Sequence, residues 1–289
     1  MQHASTASRL RSQLSSIVIG LSDLIKALPV RRFERFSPGV VVFAPEFYFA
    51  EPSPDQRATQ FALKRKYEVF LEILRIMLRG APHELARQLD EADKRFRDWL
   101  ELNCSWSVTP SPIENANNAQ SAAQQLEKIL GVLESTITND LILVPDTNSL
   151  LSAADPTEYR RVIGQDSFIF MLLPAVLGEL DHLKIEHRNP EVREKARKII
   201  VRIKGWRNQG SLALGVTVDK SIIVKTCHSE PDMSKSLSWL DANNRDDRIV
   251  ASVLALAAEH PCARIILMSG DINLLNKADA ALIQTIERP

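Results

Sequence analysis

The chain has 289 residues, enough for two domains that each bury a core, and its 36 basic residues balance 36 acidic ones. Zero net charge excludes a global basic field for nucleic acid or membrane, so any such contact must come from a local patch. Cys104, Cys227 and Cys262 are widely spaced and odd in number, which argues against a disulfide framework or a zinc site and suits a reducing cytoplasm.

The first half reads as helices. The early apolar stretch, Ile17 to Leu28, is interrupted by Ser22, Asp23 and Lys26, so it is neither a signal peptide nor a membrane span. Leu10, Leu14, Ile17, Leu21, Leu24 and Leu28 instead follow the alternating four- and three-residue spacing of one helix face. Leu63 to Met77, Leu85 to Trp99 and Ala122 to Leu133 repeat that period. Val40 to Phe43 is short and β-branched, as in a strand, and Ser105 to Asn118 has the Pro, Ser and Asn content of a loop. Residues 1–138 are therefore expected to form an α-helical domain, able to meet a protein partner or a second copy of the chain.

From residue 139 the pattern changes. Leu141 to Val144, Phe168 to Leu173 and Ile265 to Met268 are unbroken apolar runs, as expected of strands buried on both faces. Leu214 to Val224 holds one or two more strands, and Leu282 to Ile286 reads as a last one. Helical patterns at Ala175 to Leu183, Val192 to Trp206 and Ile249 to Ala258 separate them. This alternation predicts an α/β domain over 139–289, three-layered α/β/α with a mostly parallel sheet.

Asp146 and Asp271 each stand just past a predicted strand. In an open parallel sheet that places both at the carboxyl edge, where ligands bind. Glu179 lies in the first turns of the helix after Pro174, on the same side. Asp246 and Asp247 open another helix behind the N-cap candidates Asn243 and Asn244. Several carboxylates in one crevice need a neutralising cation. With hard oxygen donors, and no Cys or suitably spaced His nearby, that cation is expected to be Mg²⁺ or Mn²⁺. His182 and His187 fall on different helix faces and read as surface residues.

LILVPDTNSLL at 141–151, LLPAVLGELDHLK at 172–184, NNRDDRIVASVLAL at 243–256 and IILMSGDINLLNKA at 265–278 resemble, in order and spacing, the four acidic motifs of the PIN domain family. The resemblance implies a metal-dependent nuclease, usually a ribonuclease, and single-stranded RNA is the expected substrate. It assigns the first, second and fourth acids to Asp146, Glu179 and Asp271, and the third to Asp246 or Asp247, with Asp247 preferred. It also implies supporting roles for Asn148, at the strand-to-helix turn, and for Ser269 before the fourth acid. Gly270 departs from the polar residue common in the family. A structure-specific DNA nuclease and a non-catalytic binding module are the alternatives.

Two patches are candidates for nucleic-acid contact. Residues 184–207 carry nine Lys and Arg against three Glu, with Arg193, Arg197 and Lys204 on one face. Arg31, Arg32, Phe33, Arg35 and Phe36 mix cations with aromatics, as single-strand binders do, although a structural role explains them as well.

Overall fold

A computed structural model describes residues 5–33, 45–135, 140–227 and 229–287. The strand expected at Val40 to Phe43, residues Arg35 and Phe36, and the boundary expected at 138/139 lie outside the described residues. The chain forms two compact units, Ser8–Glu134 and a second made of Ser135–Pro289 with the N-terminal Met1–Ala7.

Among the described residues the first unit has four α-helices: α1 (Thr6–Ala27), which begins two residues before it, α2 (Pro54–Met77), α3 (His83–Leu100) and α4 (Pro112–Glu134). The apolar stripe of α1 is buried throughout, from Leu10 to Leu28. Each such side chain contributes about 1.5–3 kcal/mol on leaving water. Gln13 Nε2 donates to the Lys66 carbonyl and Gln56 Nε2 to the Ala27 carbonyl, which ties α1 to α2. Arg11 pairs with Glu134 at 2.7 Å and ties α1 to α4. Inside, the Tyr67 hydroxyl donates to Asp93 at 3.0 Å, and Arg75 and Arg97 pair with the same carboxylate at 3.3 and 3.2 Å. Burial, followed by the Asp93 charge, pushes the Tyr67 phenol far above its ordinary range.

Two features of this unit differ from the sequence expectation. Strands β1 (Val30–Arg32) and β2 (Phe47–Phe49) pair as an antiparallel ribbon, so Arg31 and Arg32 belong to a strand. The loop expected through Asn118 ends at Ser111. Pro112 can start a helix because its missing N–H is unpaired there anyway, Ser111 Oγ accepts the Glu114 N–H, and buried Asn115 fastens Thr109 through two 2.8 Å bonds.

The second unit contains β3 (Leu141–Pro145), α5 (Thr147–Ser152), α6 (Arg160–Ile163), β4 (Phe168–Leu172), α7 (Pro174–Glu186), α8 (Pro190–Arg207), β5 (Val216–Asp219), β6 (Ile222–Thr226), α9 (Arg245–Glu259), β7 (Arg264–Ser269), α10 (Ile272–Ala280) and β8 (Gln284–Glu287). Its six strands run in the order β5-β6-β4-β3-β7-β8, and every pair but β5/β6 is parallel. This is the expected α/β domain with a mostly parallel sheet. Every residue of β3 is buried, as a central strand covered on both faces requires. After β3 the chain builds outward through β4 and β6, then crosses back to set β7 on the other flank of β3. The strand order therefore reverses at β3/β7, where the carboxyl ends of an open sheet leave a crevice.

Candidate metal centre

Asp146 leaves β3 and Asp271 follows β7, so both stand at that reversal. Asp146 caps the N-terminus of α5: its Oδ1 accepts the Ser149 N–H at 2.7 Å and its Oδ2 the Ser269 hydroxyl at 2.5 Å. It is 4% exposed. Ser269 Oγ also accepts the Asp271 N–H at 2.9 Å, so one hydroxyl joins the first and fourth acids. Asp271 caps α10 through the Asn273 N–H at 2.8 Å and is half-buried. Asp146 N–H and Ser149 Oγ both donate to the Met268 carbonyl, which locks the two strand ends together.

Glu179 lies in the second turn of α7, begun by Pro174 at its first position. Its Oε2 accepts the Thr147 hydroxyl at 2.5 Å and its Oε1 pairs with Arg245. The second acid is thereby tied both to the residue beside Asp146 and to the first residue of α9.

Asn244 caps α9 by accepting the N–H groups of Asp246 and Asp247 at 3.0 and 3.4 Å. The two acids then diverge. Asp247 is buried, its Oδ2 accepts the Asp241 N–H at 2.9 Å, and Lys277 Nζ of α10 lies 2.6 Å from its Oδ1. The ammonium is close enough for an ion pair, but the contact is not an aligned hydrogen bond. Asp246 is half-buried, with Lys277 at 3.9 Å. Its carboxyl is pushed above the ordinary aspartate range, first by burial and then by the charges of Asp271, Asp247 and Glu179, against the opposing pull of Lys277. The charges of Glu179 and Asp271 therefore reach Asp246. Asp247, the residue preferred from the motif, is engaged in holding the 241–247 turn.

Asn148 stands at the turn from β3 into α5. Its side chain is exposed, and the carboxylates are oriented by its neighbours Thr147 and Ser149. Thr147, Ser149, Arg245 and Lys277 were not singled out from sequence. Thr147 lies inside the DTN signature, and Lys277 stands six residues beyond Asp271.

The donors are hard oxygens, which suits Mg²⁺ or Mn²⁺ rather than zinc. Among the described residues no group of three or more His, Cys, Asp or Glu side chains is placed to hold a metal ion. Arg245 and Lys277 hold part of the acidic set in ion pairs instead, as expected where carboxylates need neutralising. His182 pairs with Glu186 at 3.5 Å on the exposed side of α7, and His187 accepts the Asn189 N–H at the start of α8.

The chain matches the PIN domain family over residues 143–288, just over half of its length. The chain belongs to the PIN domain family. Its second unit accordingly has a nuclease-like fold, and the four stretches that resemble the family's acidic motifs all lie in or at the edge of the matched span. Among curated proteins, none matches the chain.

Around this PIN domain, α8 packs against α7 and α5. Arg197 and Lys204 are exposed on it. Arg193 is not available in the same way: its guanidinium donates to the His187 and Arg188 carbonyls at 2.5 and 3.3 Å, bracing the α7–α8 turn. Among the described residues no helix is long and apolar enough to cross a membrane.

Proposed function

We propose that residues 139–289 form a divalent-metal-dependent ribonuclease domain, acting endonucleolytically on single-stranded RNA, with residues 1–138 as a helical domain. The observation that supports this reading is the linkage of the acids: Ser269 joins Asp146 to Asp271, Thr147 beside Asp146 holds Glu179, and Lys277 lies near both Asp246 and Asp247. We infer that acids from the four motifs act together near the strand-order reversal, where Asp146 and Asp271 stand. We assign the Mg²⁺ or Mn²⁺ ligands to Asp146, Glu179, Asp246 and Asp271. Asp247, named as a candidate ligand from the motif, becomes a buried support for the third.

When bound, such an ion polarises water and phosphate and neutralises charge on the leaving oxygen. The residues of the chain hold the reacting groups in place. Ser149 and Ser269 fix both oxygens of Asp146, Thr147 fixes one oxygen of Glu179, and the caps of α9 and α10 fix the approach of Asp246 and Asp271. Preorganised ligands of this kind spare reorganisation when the substrate arrives. Exposed Arg197 and Lys204 track the RNA backbone through phosphate contacts. The widely spaced cysteines support a cytoplasmic setting, and the helical domain is the place for a protein partner or a second copy of the chain.

Incubation of labelled single-stranded RNA and of DNA flaps with Mn²⁺, Mg²⁺ or EDTA tests the proposal. RNA cut to 5′-phosphate products with either metal, and left intact in EDTA, supports it. Undiminished cleavage in EDTA, or faster cutting of flaps than of any RNA, overturns it. A folded, RNA-binding protein that cuts nothing makes the domain a binding module.

A further inference from the structure

Lys277 is the one ammonium that reaches both acids of the third motif among the described residues, 2.6 Å from Asp247 and 3.9 Å from Asp246. It projects from α10, the helix that Asp271 caps, so it bridges the third and fourth motifs. Its side chain is 28% exposed and wedged between carboxylates, unlike the more open Arg245 on Glu179. We propose that Lys277 is the resident counter-ion of this site, a positioning residue that neutralises Asp246 and Asp247 when no divalent ion is bound and opposes its binding. The inference rests on the metal-site reading above.

The charge count gives the physical reason. Asp146, Glu179, Asp246, Asp247 and Asp271 bring five negative charges, and Arg245 and Lys277 return two positive ones. Asp247 is 5% exposed and gains only one neutral donor besides Lys277, so the ammonium is its charge partner. Asp246 is held more loosely by the same ammonium, at a distance typical of a long ion pair. Asp246, the looser partner, would be the carboxylate given up to a divalent ion, while Lys277 would stay on Asp247. The same lysine that stabilises the acidic edge therefore weakens metal affinity, because two cations share one carboxylate environment.

The test is Mn²⁺ binding to the full chain, followed by calorimetry without RNA, with thermal melting in EDTA alongside. Lys277→Met should melt lower in EDTA, yet bind Mn²⁺ roughly tenfold more tightly, the equivalent of ~1.4 kcal/mol. Lys277→Arg should keep wild-type affinity. Should Lys277→Met fail to fold, the comparison moves to Asp247→Asn and Asp247→Asn/Lys277→Met, where the second substitution should again tighten Mn²⁺ binding. Unchanged or weaker Mn²⁺ binding on loss of Lys277 overturns the proposal while leaving the metal site standing. Wild type that binds no Mn²⁺ overturns both.

Discussion

Replacing Asp246 and Asp247 separately by Asn should produce opposite defects. Asn at 247 keeps an oxygen for the Asp241 N–H but leaves Lys277 without its close partner. Breaking a fully buried pair from one side costs about 3–5 kcal/mol; Lys277 reaches solvent, so the figure falls to roughly 1–3 kcal/mol. For a unit of about 150 residues each kcal/mol moves the melting temperature by roughly 2–4 °C. Asp247→Asn should therefore melt roughly 2–12 °C lower in EDTA. Asp246→Asn should melt within about 0.5 kcal/mol of wild type, because burial and three facing carboxylates already disfavour that charge and Lys277 only partly favours it. Mn²⁺ reverses the order. At a hundred times its dissociation constant it adds about 2.7 kcal/mol to wild type, and to a site weakened a hundredfold only about 0.4 kcal/mol. Asp247→Asn should retain most of the Mn²⁺ shift and Asp246→Asn should lose it. Thermal melts of the three proteins, with EDTA and with Mn²⁺ at one fixed concentration, read all of these values. Loss of the Mn²⁺ shift in Asp247→Asn, with retention in Asp246→Asn, would return the third ligand to position 247 and refute the separate roles of the two aspartates.

Further outcomes follow from the same geometry. Asp271→Asn still caps α10, since Asn accepts the Asn273 N–H nearly as well, so it should fold normally and lose RNA cleavage; full activity would remove Asp271 from the site. Arg197→Glu with Lys204→Glu should weaken RNA binding and lower the log–log salt slope by roughly 1 for each phosphate no longer neutralised, and an unchanged slope would make α8 an ordinary solvated face. Arg193→Glu should instead lower the melting temperature, because that guanidinium braces two backbone carbonyls, and a normal melt would contradict its structural role. Mn²⁺ affinity should fall on acidification at a pH above the 3.8 of an ordinary aspartate. The sign follows from the raised carboxyl: below 3.8 Asp246 is protonated in folded and unfolded chains alike, and its costly charge develops only as pH rises through the higher folded value. Titrations over this range that show the same pH dependence in Asp246→Asn would count against Asp246 as a ligand.

The central sheet and most of the helices were legible in the sequence because their signals are local. Leu141 to Val144 and Ile265 to Met268 are uninterrupted apolar runs, and residues 190–207 keep a helical period over five turns. Short helix α5 is too brief to show a period, and its start depends on the Asp146 cap closing onto Ser149, a contact visible only in three dimensions. The ribbon of β1 and β2 joins residues far apart in sequence, so neither strand announces its partner. At the site, the acids were legible as strand-end and helix-start carboxylates. Which of two adjacent aspartates is buried was not, because neighbouring helix positions differ by about 100° around the axis and a shift of one residue reverses burial. Asp247 proved to be the buried one because Lys277 and the Asp241 amide both meet it from the protein side. Arg193 looked like a surface cation by its place on the helix, and only the turn before α8 reveals the carbonyls it serves.

Diffraction from Mn²⁺-soaked crystals at the manganese edge tests directly whether carboxylates from four motifs hold one divalent centre. Anomalous density is predicted at the β3/β7 edge, in contact with carboxylate oxygens of Asp146, Asp246 and Asp271, with Glu179 turned from Arg245 toward the ion and Asp247 still on Lys277. Fully soaked crystals with no anomalous density at this edge, or with density held by Asp247 in place of Asp246, would contradict it.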